Sequence, residues 1–527
     1  MDQQERRISD RFAARRPRPV VLAMVALPAV EAILLIAVGW DSAAPIAPQL
    51  SAVGPIAALH DLRWLLLVPN SPVTALLAVA GVIALRTGFT IWAVRAFWPR
   101  SADAPRQRGT ARSVVGAVAI SMVVLALPAG LLFGTAIASL SWPVLAGLPA
   151  AFLLMAVMAH NSVTPMWWRG LPPAAAVGWL ASSVAAMSAA SFLILRLPDL
   201  ASPAVAGLAG LANVVAWQKT VQALAHWEPR HAHPVGIAAI AATVAMALAA
   251  VTVGFTLSDG TSNARPALAS PELGDEAVLL VAGFESECCA ESDEFQDLVQ
   301  GRVFESYSYA GLDAQRRPLP HEGDATREDL FVLGERMALQ VRELYLRTGR
   351  PVDIVAESQG TLIVRAYLAG HGDAPLGSVI FLSPIVLSPN VSYPPAGSGD
   401  TGYLGGQLLR VLGAMVAIVS PFEADIDQPL ARSILRLARE PSDALASRDP
   451  VALVPLADSL SGPLPSTPYV TVDVIPALHG GLRGRGDVKE WVAGWLDGRT
   501  LVHSSGWRPL AEVLADLTAA WWLPQKR

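Results

Sequence analysis

Lysine is almost absent from this chain of 527 residues: Lys219, Lys489 and Lys526 are the only lysines among 39 basic residues. Together with the excess of arginine and alanine this points to a GC-rich bacterial genome, an inference about codons and not about physics. Charge is scarce too. Charged residues make up 16% of the chain and apolar residues 53%, and the net charge is −5. No basic patch is present, which excludes the electrostatic footprint of a nucleic-acid partner. So little charge with so much apolar surface places part of the chain in lipid. Cysteine is limited to the adjacent pair Cys288 and Cys289. Neighbouring cysteines bridge only through a strained ring, so the pair is either two free thiols or a vicinal bridge. A metal site would need more soft ligands nearby than the sequence offers. Neither a metal nor an organic cofactor is expected.

What the chain has instead is long apolar runs. Residues 1–18 are polar and arginine-rich (Arg6, Arg7, Arg11, Arg15, Arg16, Arg18). Val20 to Trp40 is then a long apolar run, too long for a signal-peptide core and without a cleavage site, so it reads as a signal anchor. Further runs long enough to cross a bilayer follow at about 73–98, 113–139, 144–167, 173–195, 203–225 and 234–256. That makes about seven spans in an α-helical bundle over residues 19–257, or six, with a cytoplasmic C-terminal domain, without the weakest, 203–225, where Asn213, Gln218 and Lys219 interrupt it. With the N-terminus inside, the inner loops carry Arg100, Arg106, Arg108, Arg112, Arg169 and Arg230, while the outside receives Asp41, Asp61 and Arg63. This asymmetry is the positive-inside pattern. An odd number of spans puts everything after residue 257 outside the cytoplasm, so the expected location is the cell membrane, multi-pass, with an extracytoplasmic C-terminal domain.

Polar residues within the spans need partners. Glu31 and Arg86 each lie mid-span, and an ion pair between them is the economical expectation. His160 and Asn161, with Asn213 and Gln218, either line an internal cavity or hydrogen-bond between helices as structural glue, and glue is the commoner use of such residues. No pair of spans shows a repeat of the transporter type.

Residues 258–275 are rich in Ser, Pro, Gly and Asp and read as a linker. The region 276–500 alternates strand-like and helix-like stretches: strands at Ala277 to Phe284, Arg302 to Tyr309, Val352 to Val355, Ser378 to Leu382 and Tyr469 to Ile475, and helices at Leu330 to Arg347, Thr361 to Ala369 and Glu490 to Leu496. That alternation predicts a mainly parallel sheet with helices on both faces. Residues 501–527 form a tail. At the centre stands Ala356-Glu357-Ser358-Gln359-Gly360, between a strand and a helix. A serine there, with small residues two positions to either side, has the form of a nucleophile elbow: the turn is too tight for large flanking side chains, lifts Ser358 Oγ clear of the sheet, and sets the Gln359 N–H where an oxyanion would form. The plainer alternative is a serine that caps the following helix.

With the strand ending in Ala282-Gly283-Phe284, the AESQG elbow and the late Pro476-Ala477-Leu478-His479-Gly480-Gly481, the stretch from about Glu276 to Asp497 resembles the α/β-hydrolase superfamily, in particular its lipase- and esterase-like members. Those enzymes commonly carry His before the serine, where this chain has Glu357. The resemblance implies a triad in the order serine, acid, histidine. Ser358 would be the nucleophile and His479 the base; His371 follows the elbow too closely, His321 precedes it, and His503 is the reserve. Asp449 is the expected acid, with Asp458, Asp427 and Asp425 as alternatives. The oxyanion hole would use the backbone N–H groups of Gln359 and of Phe284, with Glu285 next. An insertion at about 384–441 sits where such enzymes carry a cap or lid. The implied activity is cleavage of carboxylic, lipid-like esters through an acyl-serine intermediate, with the ester substrate and the bilayer as partners. Transfer of the acyl group to another acceptor, or an inactive hydrolase-like module on a transport or scaffold protein, are the alternatives.

Overall fold

The structure is a computed structural model. It describes residues 18–52, 55–99, 114–123, 156–163, 170–227, 277–288, 299, 302–373, 375–385, 401–419, 426–441, 443–455, 470–477, 479–498 and 507–509.

Among the described residues, the N-terminal half holds four helices long and apolar enough to cross a membrane: α1 (Arg18–Ala37), α3 (Pro72–Phe97), α4 (Ala174–Arg196) and α5 (Ser202–Ala225, with a 3-10 turn at Asp199–Ala201). This is four where the sequence reading expects seven. Of the other three runs, the described residues include only Val114–Val123 and 156–163, both helical, and 234–256 lies outside them. α3 starts where local chemistry dictates. Ser71 and Thr74 form a reciprocal capping box, and Pro72 occupies the first turn, where its missing N–H is harmless. α5, interrupted in sequence by Asn213 and Lys219, is nonetheless one continuous helix. Asn213 is buried, whereas Lys219 lies on the exposed face. Small residues let α5 approach α1 closely, and a Cβ at Gly210 would run into the Met24 carbonyl.

Between α1 and α3 the chain does not form an exposed outer loop. A 3-10 helix, Asp41–Ser51, packs against α1, α4 and α5, followed by α2 (Pro55–Leu67). Asp61 and Arg63 on α2 are buried. Irregular backbone at this depth needs internal partners. Ser191 Oγ supplies one, donating to Pro45 O at 2.5 Å.

Among its described residues, the C-terminal half forms a six-stranded parallel sheet in the order β2-β1-β3-β4-β5-β6. The strands are β1 (Ala277–Val281), β2 (Val303–Ser306), β3 (Val352–Glu357), β4 (Leu376–Leu382), β5 (Val451–Pro455) and β6 (Val470–Ile475). Side chains alternate between the two faces. Leu279, Val281, Ile354 and Ala356 pack under α6 (Leu330–Thr348) and α7 (Gln359–Gly370). Val278, Leu280 and Val355 pack over α10 (Gly486–Leu496). α6 shows why helix forms here: Asp329 Oδ1 caps the Phe331 N–H at 2.8 Å, and Leu330, Leu333, Met337, Val341 and Leu344 line one buried stripe.

The insertion contributes α8 (Tyr403–Val419) and α9 (Pro429–Leu437). α9 packs on α6 and α7, whereas α8 packs on α2 and α3 of the N-terminal half. The Tyr403 N–H donates to Pro69 O at 2.9 Å, and Leu409 and Leu435 share one apolar cluster with Leu62, Leu65 and Phe97. The two halves are therefore joined by a common core as well as by the linker.

Candidate active site

In a parallel sheet, the strand order reverses direction between β1 and its neighbours β2 and β3, which opens a crevice at their carboxyl ends. Both candidate loops end there. Ser358 follows β3 directly and is held at φ 51°, ψ −120°, a conformation few non-glycine residues adopt. Its N–H donates to Leu382 O at 3.0 Å, fixing the turn to β4. A helix-capping role is not what the side chain performs: it makes no cap bond, and its Oγ lies 2.7 Å from His479 Nε2. The structure thus brings together two residues separated by 121 positions. Gly360 is required for this turn, because a Cβ there would meet the Val281 carbonyl oxygen of β1.

Gln359 opens α7, so its N–H has no acceptor within the helix. Its side chain is tied elsewhere, donating through Nε2 to Thr326 O at 2.6 Å. Thr326 Oγ1 also accepts the Glu285 N–H at 3.2 Å, and Glu285 pairs with Arg327 at 2.7 Å. These bonds commit the Glu285 amide; Phe284, one residue earlier on that loop, is the other candidate donor. Tyr309 braces the loop through its hydroxyl, donating to Ala282 O at 2.6 Å. Burial, with Tyr307 and Glu357 adding to it, pushes the Tyr309 phenol well above its ordinary ionisation range, so it stays a donor.

Asp449 is not part of this cluster. It precedes β5, at the amino end of the strand, whereas Ser358 lies at the carboxyl end of β3. Ser358 is level with Leu382, and Ser383 bonds Leu453 O, inside β5 and four residues beyond Asp449. An acid at the carboxyl end of a strand would follow that strand, but Asp449 precedes Val451–Pro455. Asp427 is engaged by Arg410 at 2.8 Å and by Arg432. His371 pairs with Glu335 at 3.2 Å. Asp458, Asp425 and His503 lie outside the described residues.

One contact at the site has no counterpart in the sequence reading. Glu357, 2% exposed, pairs through Oε2 with Arg483 Nε at 2.9 Å. The departure from histidine at this position was legible, but its partner, four residues past His479, was not.

In the N-terminal half, Glu31 and Arg86 do not meet. Glu31 reaches His60 Nε2 at 3.0 Å, His60 Nδ1 lies 3.0 Å from Asp61 Oδ1, and Arg86 forks onto Asp61 at 2.5 and 2.6 Å. The expected pair is thus a four-membered chain, because α2 inserts His60 and Asp61 between the two. Asn213 accepts from Ser183 Oγ at 2.5 Å and donates to Ser51 Oγ at 2.6 Å, linking α4, α5 and the 3-10 helix. His160 is buried, with Asn161 beside it, and its ring stands edge-to-face on Trp227 at 4.5 Å. Cys288 is disulfide-bonded, and the chain has one other cysteine. Among the described residues, no three His, Cys, Asp or Glu side chains are grouped to hold a metal ion.

No protein-family model, curated protein or solved structure matches the chain.

Proposed function

We propose that the chain is a membrane-tethered serine hydrolase of the α/β-hydrolase type that cleaves carboxylic esters through an acyl-serine intermediate. The observation that carries this reading is the left-handed Ser358 with His479 Nε2 2.7 Å from its Oγ. A serine hydroxyl is a weak nucleophile until a base takes its proton, and nothing about helix capping or packing calls for a strained serine aimed at an imidazole. The strand order supports the same reading, with the serine after the third strand and the histidine after the last, as the resemblance implies.

In the proposed mechanism, His479 Nε2 accepts the Ser358 proton as Oγ attacks the ester carbonyl. The Gln359 and Phe284 N–H groups hold the developing oxyanion. His479 returns the proton to the leaving alcohol, and water then releases the acid by the same steps. The third member of the proposed triad is Asp458, one of the alternatives read from the sequence, three residues after the end of β5 in the chain.

Lipid-like esters suit the location. Four apolar helices argue for membrane association, and the seven-span bundle stands as the fuller form of that proposal. The cap helix α8 docks at Pro69, at the amino end of α3, while the arginine-rich segments precede α1 and follow α3. That supports an extracytoplasmic catalytic half.

The test is labelling with a fluorophosphonate probe. Wild-type protein in membranes should label, and Ser358→Ala should not. Wild type that resists labelling, or an alanine variant that labels equally, would overturn the proposal.

A further inference from the structure

We infer that the Glu357–Arg483 ion pair is a clasp that positions His479 against Ser358; the inference rests on the hydrolase reading above. The geometry is a ladder. Two consecutive residues at the end of β3, Glu357 and Ser358, each bind one residue of the loop that follows β6. Ser358 Oγ meets His479 at 2.7 Å, and Glu357 Oε2 meets Arg483 at 2.9 Å. β3 is the rigid rail, hydrogen-bonded on both sides within the sheet. The loop is the part that needs fixing, because Gly480 and Gly481 follow His479 with no side chains to pack.

Leu482, fully buried between the sheet and α10, anchors the middle of the loop, and Arg485 closes its base by donating to Pro476 O at 3.3 Å. Neither contact sets how closely His479 approaches the elbow. The Arg483 bond does, because it ties the loop to the residue next to the nucleophile. It also accounts for a carboxylate at a position that is 2% exposed, where a charge is costly unless paired.

Arg483 and Glu357 are positioning residues here, and a histidine displaced by an ångström costs rate more than binding. With p-nitrophenyl butyrate as substrate, Glu357→Gln and Arg483→Gln should each lower kcat about 10- to 100-fold, with KM within about twofold. Arg483→Lys, which keeps the charge, should recover most of the rate. The double variant should be no slower than the slower single one, because each change removes the same interaction. Thermal unfolding of each variant separates this from lost folding. Because Arg483→Gln strands a buried carboxylate, Glu357→Gln and Arg483→Lys carry the test if it does not fold.

Wild-type kcat in Glu357→Gln, a lysine variant no faster than the glutamine one, or losses that multiply in the double variant would each overturn the clasp. Ser358→Ala is measured in parallel. If it is silent while Glu357→Gln is unimpaired, only the clasp fails. If Ser358→Ala retains turnover, the hydrolase reading fails and the clasp falls with it.

Discussion

Asp449 precedes β5 and Asp458 follows it in the chain, and the proposed triad takes the second of the two. Asp458→Asn should slow fluorophosphonate labelling about 10²- to 10⁴-fold, the usual worth of assisted proton transfer. Asp449→Asn should leave the rate within about twofold. Equal losses in the two variants would reverse the assignment. The elbow invites a second test. Gly360→Ala would press a methyl group against the Val281 carbonyl and should cost about 1–3 kcal/mol, read as a lowered Tm, with the loop after β1 displaced. Ser358 and His479 were legible from the chain because the information is local: a serine in a tight turn between strand and helix, and a histidine just past a strand. Ala356, fully buried, shows that the first small position tolerates a methyl group. The acid was not legible, because its role depends on which side of β5 it falls. Val451 to Val454 is continuously apolar, without the period of an exposed strand, and sits beside two prolines that suggest a turn.

Elements show a similar divide. Strands β1, β3, β4 and β6 and helices α6, α7 and α10 follow from apolar periodicity, because each buries a face of its own sequence. The polar chain from Glu31 to Arg86 does not, since its geometry is set by α2, a helix of 13 residues too short to be read as a span. That chain makes a prediction. Arg86→Met leaves Asp61 buried without its forked partner and should destabilise the detergent-solubilised protein by about 3–5 kcal/mol, whereas Arg86→Met combined with Asp61→Asn should be milder. If the single and double variants unfold together, the pair is not coupled. The insertion has its own charge anchor. The Asp427 carboxyl is held below the usual carboxylate range by its hydrogen bond to Arg410, with burial opposing and Arg432 assisting. A depressed acid stabilises the fold above its unfolded pKa, near ~4, and that contribution is lost as pH falls through the folded value. Hydrogen exchange over residues 403–437, corrected for intrinsic rate, should therefore quicken in acid. Asp427→Asn should exchange at pH 7 as wild type does only below about pH 4.

On the scale of the whole molecule, α8 decides the arrangement of the halves. α8 meets the N-terminal half at the end of α3 remote from the arginine-rich flanks, so a membrane-impermeant fluorophosphonate should label Ser358 in intact cells. Labelling only after lysis would leave the chemistry standing and invert the orientation. The Ser/Pro/Gly-rich stretch of residues 258–275 looks like a place to cut the chain in two, yet Leu409 and Leu435 have their apolar neighbours on the far side of that cut. A fragment beginning at residue 276 would carry the α8 face into water with nothing to cover it. It should self-associate or demand detergent although it contains no membrane-crossing helix among its described residues. Anyone seeking a soluble version of this domain would have to rewrite the surface of α8 rather than choose a better starting residue.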